Sequence, residues 1–337
     1  MKKLKNEIMK KLVKKLRRSF NQYSLILSFR FCGSKREVSL FHLIMHYALR
    51  IINYYKGALN MKRKSILSIL LAGALAIGLV GCGDKADNNS GSASEDKTIT
   101  IGVSPVPHKE IVEQIKPDLE AEGYTVKIVE FTDYVTPNTA LDEGELDANY
   151  FQHIAYLNET NESKGLDLTY TAAIHLEPLA AYSKSITDLK DIKDGASVAI
   201  PNDPSNEARA LRLIEKAGLI KLNDGELVTP KDITENPKNL KFEELEAAQL
   251  PRVLEEVDLA VINGNYALEA GLNPSKEALA IEDANAEAAK NYRNILAVKK
   301  GNENSEKIQA LTKALTSEKV KNFIEEKYSD GTVIPAF

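Results

Sequence analysis

The 337-residue chain has no tryptophan, only two cysteines and only five histidines. With Cys32 and Cys82 assigned to different contexts below, no disulfide pair remains, so stability must come from a hydrophobic core. Beyond residue 60 the histidines, His108, His153 and His175, fall in no HxxxH or HxH pair and have no cysteine partner, so no metal or other cofactor is expected. Gly-x-Ser-x-Gly, His-Glu-x-x-His and Gly-x-x-x-x-Gly-Lys are all absent, which removes the common signatures of hydrolases, zinc peptidases and nucleotide-binding loops. No apolar run reaches the ~20 residues that span a bilayer. Acid is scarce at one end: residues 1–60 hold fourteen Lys and Arg but only Glu7 and Glu37.

What is present starts at Met61. Lys62, Arg63 and Lys64 form a basic segment, Ile66 to Val80 an uncharged and largely apolar one, and Leu79-Val80-Gly81-Cys82 has the shape of a lipobox. This order reads as a secretory signal over 61–81, cleaved ahead of a lipidated Cys82; an uncleaved short anchor is the alternative. Acyl chains on Cys82 would hold the protein at a membrane. A signal belongs at an N-terminus, so residues 1–60 are read as an upstream extension from a start assigned too early. Lys56-Gly57-Ala58 can be encoded by a purine-rich ribosome-binding sequence just before Met61.

Removing residues 1–81 changes the charge argument. The chain carries 44 basic and 48 acidic residues, and residues 1–81 take seventeen of the former and two of the latter. The remainder has 27 against 46, a net of −19. A body this acidic is expected to bind no nucleic acid, since phosphate contact needs clustered Lys and Arg.

Gly83–Asp96 is rich in Gly, Ser, Asn and Asp and reads as a flexible tether over 82–96. Beyond it, short apolar strands alternate with helical stretches. Strands are expected at 98–103, 125–131, 178–182, 197–201, 241–245, 259–263 and 294–299, with an apolar segment at 146–151. Helices are expected at 109–122, 138–143, 206–217 and 247–255. The alternation predicts an α/β fold with mostly parallel sheets. It divides into one lobe of 97–178 plus 286–337 and another of 179–285. The strands at 178–182 and 294–299 are expected to cross side by side at a hinge, with the ligand cleft between the lobes.

Three groups of residues carry chemistry. In Pro201-Asn202-Asp203-Pro204-Ser205-Asn206-Glu207-Ala208-Arg209, a strand runs through a turn into a helix that Ser205 or Asn206 can cap. Arg209 then falls in the first turn, where it either holds an anion or pairs with Glu207 or Asp203. Tyr134, Tyr150, Phe151, His153, Tyr156 and His175 lie in one half near strand ends; such rings either pack in the core or enclose an apolar or thioether group. His108 is expected to face solvent. Asn263 ends a strand and Asn294 sits where the chain returns; each is a turn former or a hydrogen-bonding ligand residue.

These segments, with Phe131–Asn138, Leu146–His153, Glu235–Leu240 and Leu259–Asn263, occur in an order that resembles the NlpA family of lipoproteins from Met61 to Phe337. The resemblance implies a two-lobed periplasmic-binding-protein fold of type II-like organisation that is not an enzyme. It implies capture of L-methionine for an ABC importer's permease and ATPase subunits, on the extracytoplasmic face of the cell membrane. By the same resemblance Arg209 and Asn206 hold the ligand carboxylate, Asn263 and Asn294 its amino and carboxylate groups, and Tyr134, Phe151, His153 and Tyr156 its side chain. His175 would lie near the pocket, with Glu177 beside it in His175-Leu176-Glu177-Pro178. The protein is expected to act as a monomer. Binding of another amino acid or dipeptide is the alternative, and an exported hydrolase a more distant one.

Overall fold

The computed structural model describes residues 97–337. The expectations for the extension 1–60, the signal 61–81, lipidation at Cys82 and the tether 82–96 lie outside the described residues. Among the described residues no helix is long and apolar enough to cross a membrane.

Two sheets organise the chain. The first opens with β1 (Thr98–Val103), α1 (Glu110–Ala121), β2 (Thr125–Glu130), α2 (Thr136–Asp142), β3 (Ala148–Tyr150), α3 (Ile154–Lys164) and β4 (Leu168–Leu176). The second takes β5 (Ala180–Tyr182), β6 (Ser197–Pro201), α4 (Pro204–Lys216), the small ribbon β7 (Lys221–Leu222) and β8 (Ile233–Glu235), β9 (Lys241–Leu245), α5 (Leu250–Val253), β10 (Leu259–Ile262), α6 (Gly264–Glu269) and β11 (Ala280–Ile281). The chain then returns through β12 (Arg293–Lys299), α7 (Glu306–Leu315), α8 (Glu318–Lys327) and β13 (Ile334–Pro335). Strand order is β13-β4-β12-β3-β1-β2 in the first sheet and β11-β5-β10-β6-β9 in the second.

The sheets are mixed, not mostly parallel. Parallel pairing holds where a helix carries the chain back, at β2-β1-β3 and β10-β6-β9. The other strands join antiparallel, with partners far apart in the sequence. The expected pairing of 178–182 with 294–299 is also corrected: β5 sits in the second sheet, while β12 lies between β4 and β3 in the first. Instead, the two connections between sheets meet where Leu179, just before β5, faces Glu282, just after β11. Leu179 N donates to Glu282 Oε2 at 2.8 Å, and Glu282 N donates to Leu179 O at 3.0 Å.

Period-2 alternation places Ile99, Ile101 and Val103 on one face of β1, against Ile111, Ile115 and Leu119 of α1 and Leu311, Leu315, Val320 and Ile324 of α7 and α8. Complete burial of such side chains contributes about 1.5–3 kcal/mol each. The opposite face meets α2 and α3 through Leu141, Leu157, Ile295 and Ala297. Gly102 faces that side, where a Cβ would come within 2.6 Å of Leu146 Cδ1 and 2.9 Å of Phe131. The second sheet is covered likewise, by Leu211 and Ile214 of α4 on one face and Leu250, Leu254 and Tyr266 on the other. Covering both faces leaves the strand ends and helix starts as the polar surfaces that meet between the lobes.

Two local expectations shift. The stretch 247–255 is a tight turn at Ala247–Gln249 followed by the short α5, with Pro251 in its first turn. The cap of α4 is Asp203, whose side chain accepts from Asn206 N, with Pro204 next in the chain. Neither Ser205 nor Asn206 caps it, because Pro at the first helical position needs no hydrogen-bond acceptor and lets the helix begin earlier. Arg209 therefore lies beyond the first turn, buried against the crossings.

Candidate functional site

Between the lobes lies a cavity with about 340 Å³ of atom-free space, part of it open to solvent. Tyr134, Phe151, Gln152, His153 and Tyr156 form one wall; Asn206, Arg209, Asn263, Gly264 and Asn265 form the other. Glu177, on the outgoing crossing, and Asn294, at the start of β12, close the space between them.

Arg209 is the only cation among these lining residues, and it is tied to the hinge. Its Nε donates to Glu282 Oε1 at 2.8 Å, and its Nη2 to Glu282 Oε2 at 2.5 Å and to Glu177 O at 2.9 Å. The guanidinium lies over the Tyr292 ring, 4.2 Å from its centre. The expected pairing with Glu207 or Asp203 is replaced by Glu282, seventy-three positions along the chain. Burial opposes its charge, but Glu282 outweighs that and holds the guanidinium pKa above its ordinary value. Nη1 takes part in none of these bonds.

Amides extend this polar wall. Asn206 Nδ2 donates to both Asp203 oxygens, at 3.0 and 3.1 Å, while its Oδ1 faces Asn263 Nδ2 at 2.8 Å and His153 Nε2 at 3.0 Å. Asn263 Oδ1 and Asn265 Nδ2 are buried without a hydrogen-bond partner. Burial, reinforced by Arg209, lowers His153 to about 3, so the ring is neutral.

The opposite wall is aromatic. Tyr134 stands 5.9 Å from Phe151, 5.8 Å from Tyr156 and 4.9 Å from Tyr266, centre to centre. Its hydroxyl donates to Asn265 Oδ1, and Tyr156 donates its own to Tyr134 O at 2.7 Å. The Tyr134 and Tyr156 hydroxyls thus each have a partner, and Phe151 adds an apolar ring to the same wall. Gln152 also lines it, but its amide is held by Asn138 and Asn149.

Behind Glu177 lies a buried imidazole pair. His108, expected in solvent, is 1% exposed because the turn at Pro105–Lys109 folds it under the sheet. Its Nε2 meets Asn294 Oδ1 at 3.0 Å and lies 3.6 Å from Glu177 Oε1. His175 bonds Glu177 Oε1 through Nε2 at 2.7 Å and the Tyr150 hydroxyl through Nδ1. It does not line the cavity; it sits one layer behind, as does Tyr150. Burial lowers His108 to about 4, against the pull of Glu177, and lowers His175 to about 3. The Glu177 carboxyl is raised by burial, partly offset by His108 and Arg209. His108, His175 and Glu177 have one ligand-type atom each within 4.8 Å of one another. His108 Nε2, His175 Nε2 and Glu177 Oε1 already serve as hydrogen-bond partners inside the protein.

The structure therefore brings Tyr134, Phe151, His153, Tyr156, Asn206, Arg209, Asn263 and Asn294 to one cavity and leaves His175 behind it. Sequence reasoning missed Gln152, Gly264 and Asn265 in the lining, and Glu282 and Tyr292 around Arg209. Asn265 stands two residues past Asn263 at the same strand-to-helix junction, which was a usable signal; nothing local marks Glu282.

The chain is similar to proteins already described. The model of the family NlpA lipoprotein matches residues 99–337. A Bacillus subtilis protein named methionine-binding lipoprotein MetQ is 42% identical over 272 residues, covering 79% of this chain and 98% of that one. The Escherichia coli D-methionine-binding lipoprotein MetQ is 40% identical over 269 residues, 78% of this chain and 94% of its own. Among solved structures, a nutrient-binding protein from Burkholderia cenocepacia bound to methionine superposes with a TM-score of 0.68 at 43% identity, covering 71% of this chain and all of that one. The two sheets and the cavity between them are thus a two-lobed binding-protein fold, and the chain belongs to the NlpA lipoprotein family.

Proposed function

We propose that this protein captures free methionine between its lobes, 97–178 with 286–337 on one side and 179–285 on the other. It acts as a lipid-anchored, extracytoplasmic subunit that hands its ligand to the permease and ATPase of an ABC importer. The observation that carries this reading is the cavity's division of labour. One end offers a guanidinium edge and amides, the other a wall of rings, and a zwitterion with a thioether tail needs both. Arg209 and Asn294 Nδ2 are assigned to the carboxylate, Asn263 to the ammonium, and Tyr134, Phe151, Tyr156 and the neutral face of His153 to the side chain. Asn206 acts through Asn263 and His153. Closure over the ligand removes water from these charges, so each requires a partner in the closed state. The closed form is then the signal a permease can read. The names of the relatives support methionine as the ligand, and Cys82 as the lipid-bearing residue fits the family.

Calorimetry of the purified full-length chain with methionine tests the ligand, alongside mass spectrometry of small molecules released on denaturation. Saturable methionine binding is expected. No binding of methionine, together with recovery of another amino acid or a dipeptide, overturns the assignment.

A further inference from the structure

Asp203 does not line the cavity, yet it fixes which atoms the cavity presents. Its carboxylate receives donors from every recorded side: Ser205 Oγ at 3.0 Å, Asn206 N at 3.0 Å, and Asn206 Nδ2 on both oxygens. A carboxylate accepts and does not donate, so the Asn206 amide must turn its NH2 toward Asp203 and its oxygen toward the cavity. That oxygen then receives two donors, His153 Nε2 at 3.0 Å and Asn263 Nδ2 at 2.8 Å. The His153 end is independently consistent: Nδ1 accepts Tyr156 N at 3.0 Å, so the single proton of the neutral ring belongs on Nε2. With its NH2 turned to Asn206, Asn263 has its oxygen fixed on the other side of the amide. That oxygen is buried and unpartnered, and the Glu177 carboxylate lines the same cavity.

We propose that Asp203 is a positioning residue which, through Asn206, fixes Asn263 Oδ1 as an acceptor in the cavity and so favours ligands that carry a protonated amine. Reversing the relay places Asn206 Oδ1 against the Asp203 carboxylate and its NH2 against the His153 N–H, two like-to-like contacts at once. The charge on Asp203 therefore forbids the reversed state. A ligand with a hydroxyl or an acylated nitrogen in place of the ammonium meets acceptors with too few donors, a mismatch that costs far more than a lost methylene.

This inference rests on the methionine reading, and the test separates the two. The full-length chain is titrated with methionine and with its 2-hydroxy analogue, in which –OH replaces –NH3+. The unmodified protein should prefer methionine by at least about 100-fold. Asp203→Asn keeps a good helix cap but can present a donor to Asn206, so the relay loses its single direction. Its preference should shrink to about 10-fold or less, since a neutral amide no longer forbids the reversed orientation. Asp203→Ser, also a capping residue, should shrink it likewise. A cap role alone leaves the preference unchanged in both variants, which overturns the proposal. Nitrogen-15 shifts of the His153 ring in the unmodified protein read the relay without mutation: protonation at Nε2 supports it, and protonation at Nδ1 overturns it. If methionine does not bind at all, the functional reading fails while the ring measurement still decides the relay.

Discussion

The two walls of the cavity are held in place by different physics. On the second lobe, α4 and α6 each begin where a strand ends, and they carry Asn206, Arg209, Asn263 and Asn265 into one space. Each of these polar groups has its direction set by a neighbour: Asp203 for Asn206, Glu282 for Arg209, Asn206 for Asn263 and the Tyr134 hydroxyl for Asn265. On the first lobe, Tyr134, Phe151 and Tyr156 meet edge to face or tilted, at ring separations that admit several orientations. A hydrogen-bonded wall fails when one member is wrong, because a buried group loses its partner. A ring wall fails gradually, because apolar contact has no direction.

Acid should expose this difference most strongly. His108, His153 and His175 have folded pKa values near 4, 3 and 3, below the ordinary 6.5. Their contribution to stability is complete above pH 6.5 and is lost as pH falls toward the folded values, because the unfolded chain then binds the protons. Each contributes a slope of about 1.4 kcal/mol per pH unit. Glu177 and Asp203, raised by burial, act in the opposite sense and soften the lower part of the window. Denaturant unfolding at pH 7, 6, 5 and 4 should show falling stability, and a flat profile would break the comparison.

Arg209→Ala should be the most damaging single change to binding. It removes the cation and leaves the Glu282 charge without its counter-ion, so methionine affinity should fall on the order of 100-fold or more, and stability by about 3 kcal/mol. Arg209→Lys should not rescue it, since an ammonium cannot span Glu282, Glu177 O and a ligand together. Affinity within tenfold of the unmodified protein counts against the assigned role.

Gly264→Ala comes next. An added Cβ would stand 2.7 Å from Glu177 Cβ and 2.8 Å from its Oε2, so the hinge carboxylate must move. A cost of about 1–3 kcal/mol is expected in thermal unfolding, with weaker methionine binding; unchanged values would mean that Glu177 has room to shift.

The smallest pair sharpens the contrast within the ring wall. Tyr134→Phe deletes the donor to Asn265 Oδ1 and should cost about 1–3 kcal/mol. Phe151→Leu, which changes apolar shape only, should cost under ~1.5 kcal/mol. Calorimetry on both variants checks the order, and a larger loss for Phe151→Leu would show that shape, not direction, governs this wall.

Much of the body was legible from pattern. Thr98–Val103, Ser197–Pro201 and Lys241–Leu245 coincide with strands, because alternation and bounding turns are local signals. Eight residues named from the sequence line the cavity, most of them at strand-to-helix junctions, where the chemistry of an α/β cleft collects. The errors share one cause. His108 looked exposed because it follows a Pro-rich turn, and only the packing of that turn under the sheet buries it. Arg209 had acidic neighbours nearby in sequence and chose a distant one.

The sequence by itself determined the alternating α/β elements, the acidic balance beyond residue 81 and the residue types that can meet a zwitterion, since propensity, charge and donor chemistry belong to residues. Only the tertiary structure decided that β12 returns between β4 and β3, that Glu282 engages Arg209 at the crossing, and that the Asn263 oxygen is buried without a partner. Those outcomes depend on which polar groups must be satisfied together once water is gone, and burial is a property of the assembled fold, not of any segment.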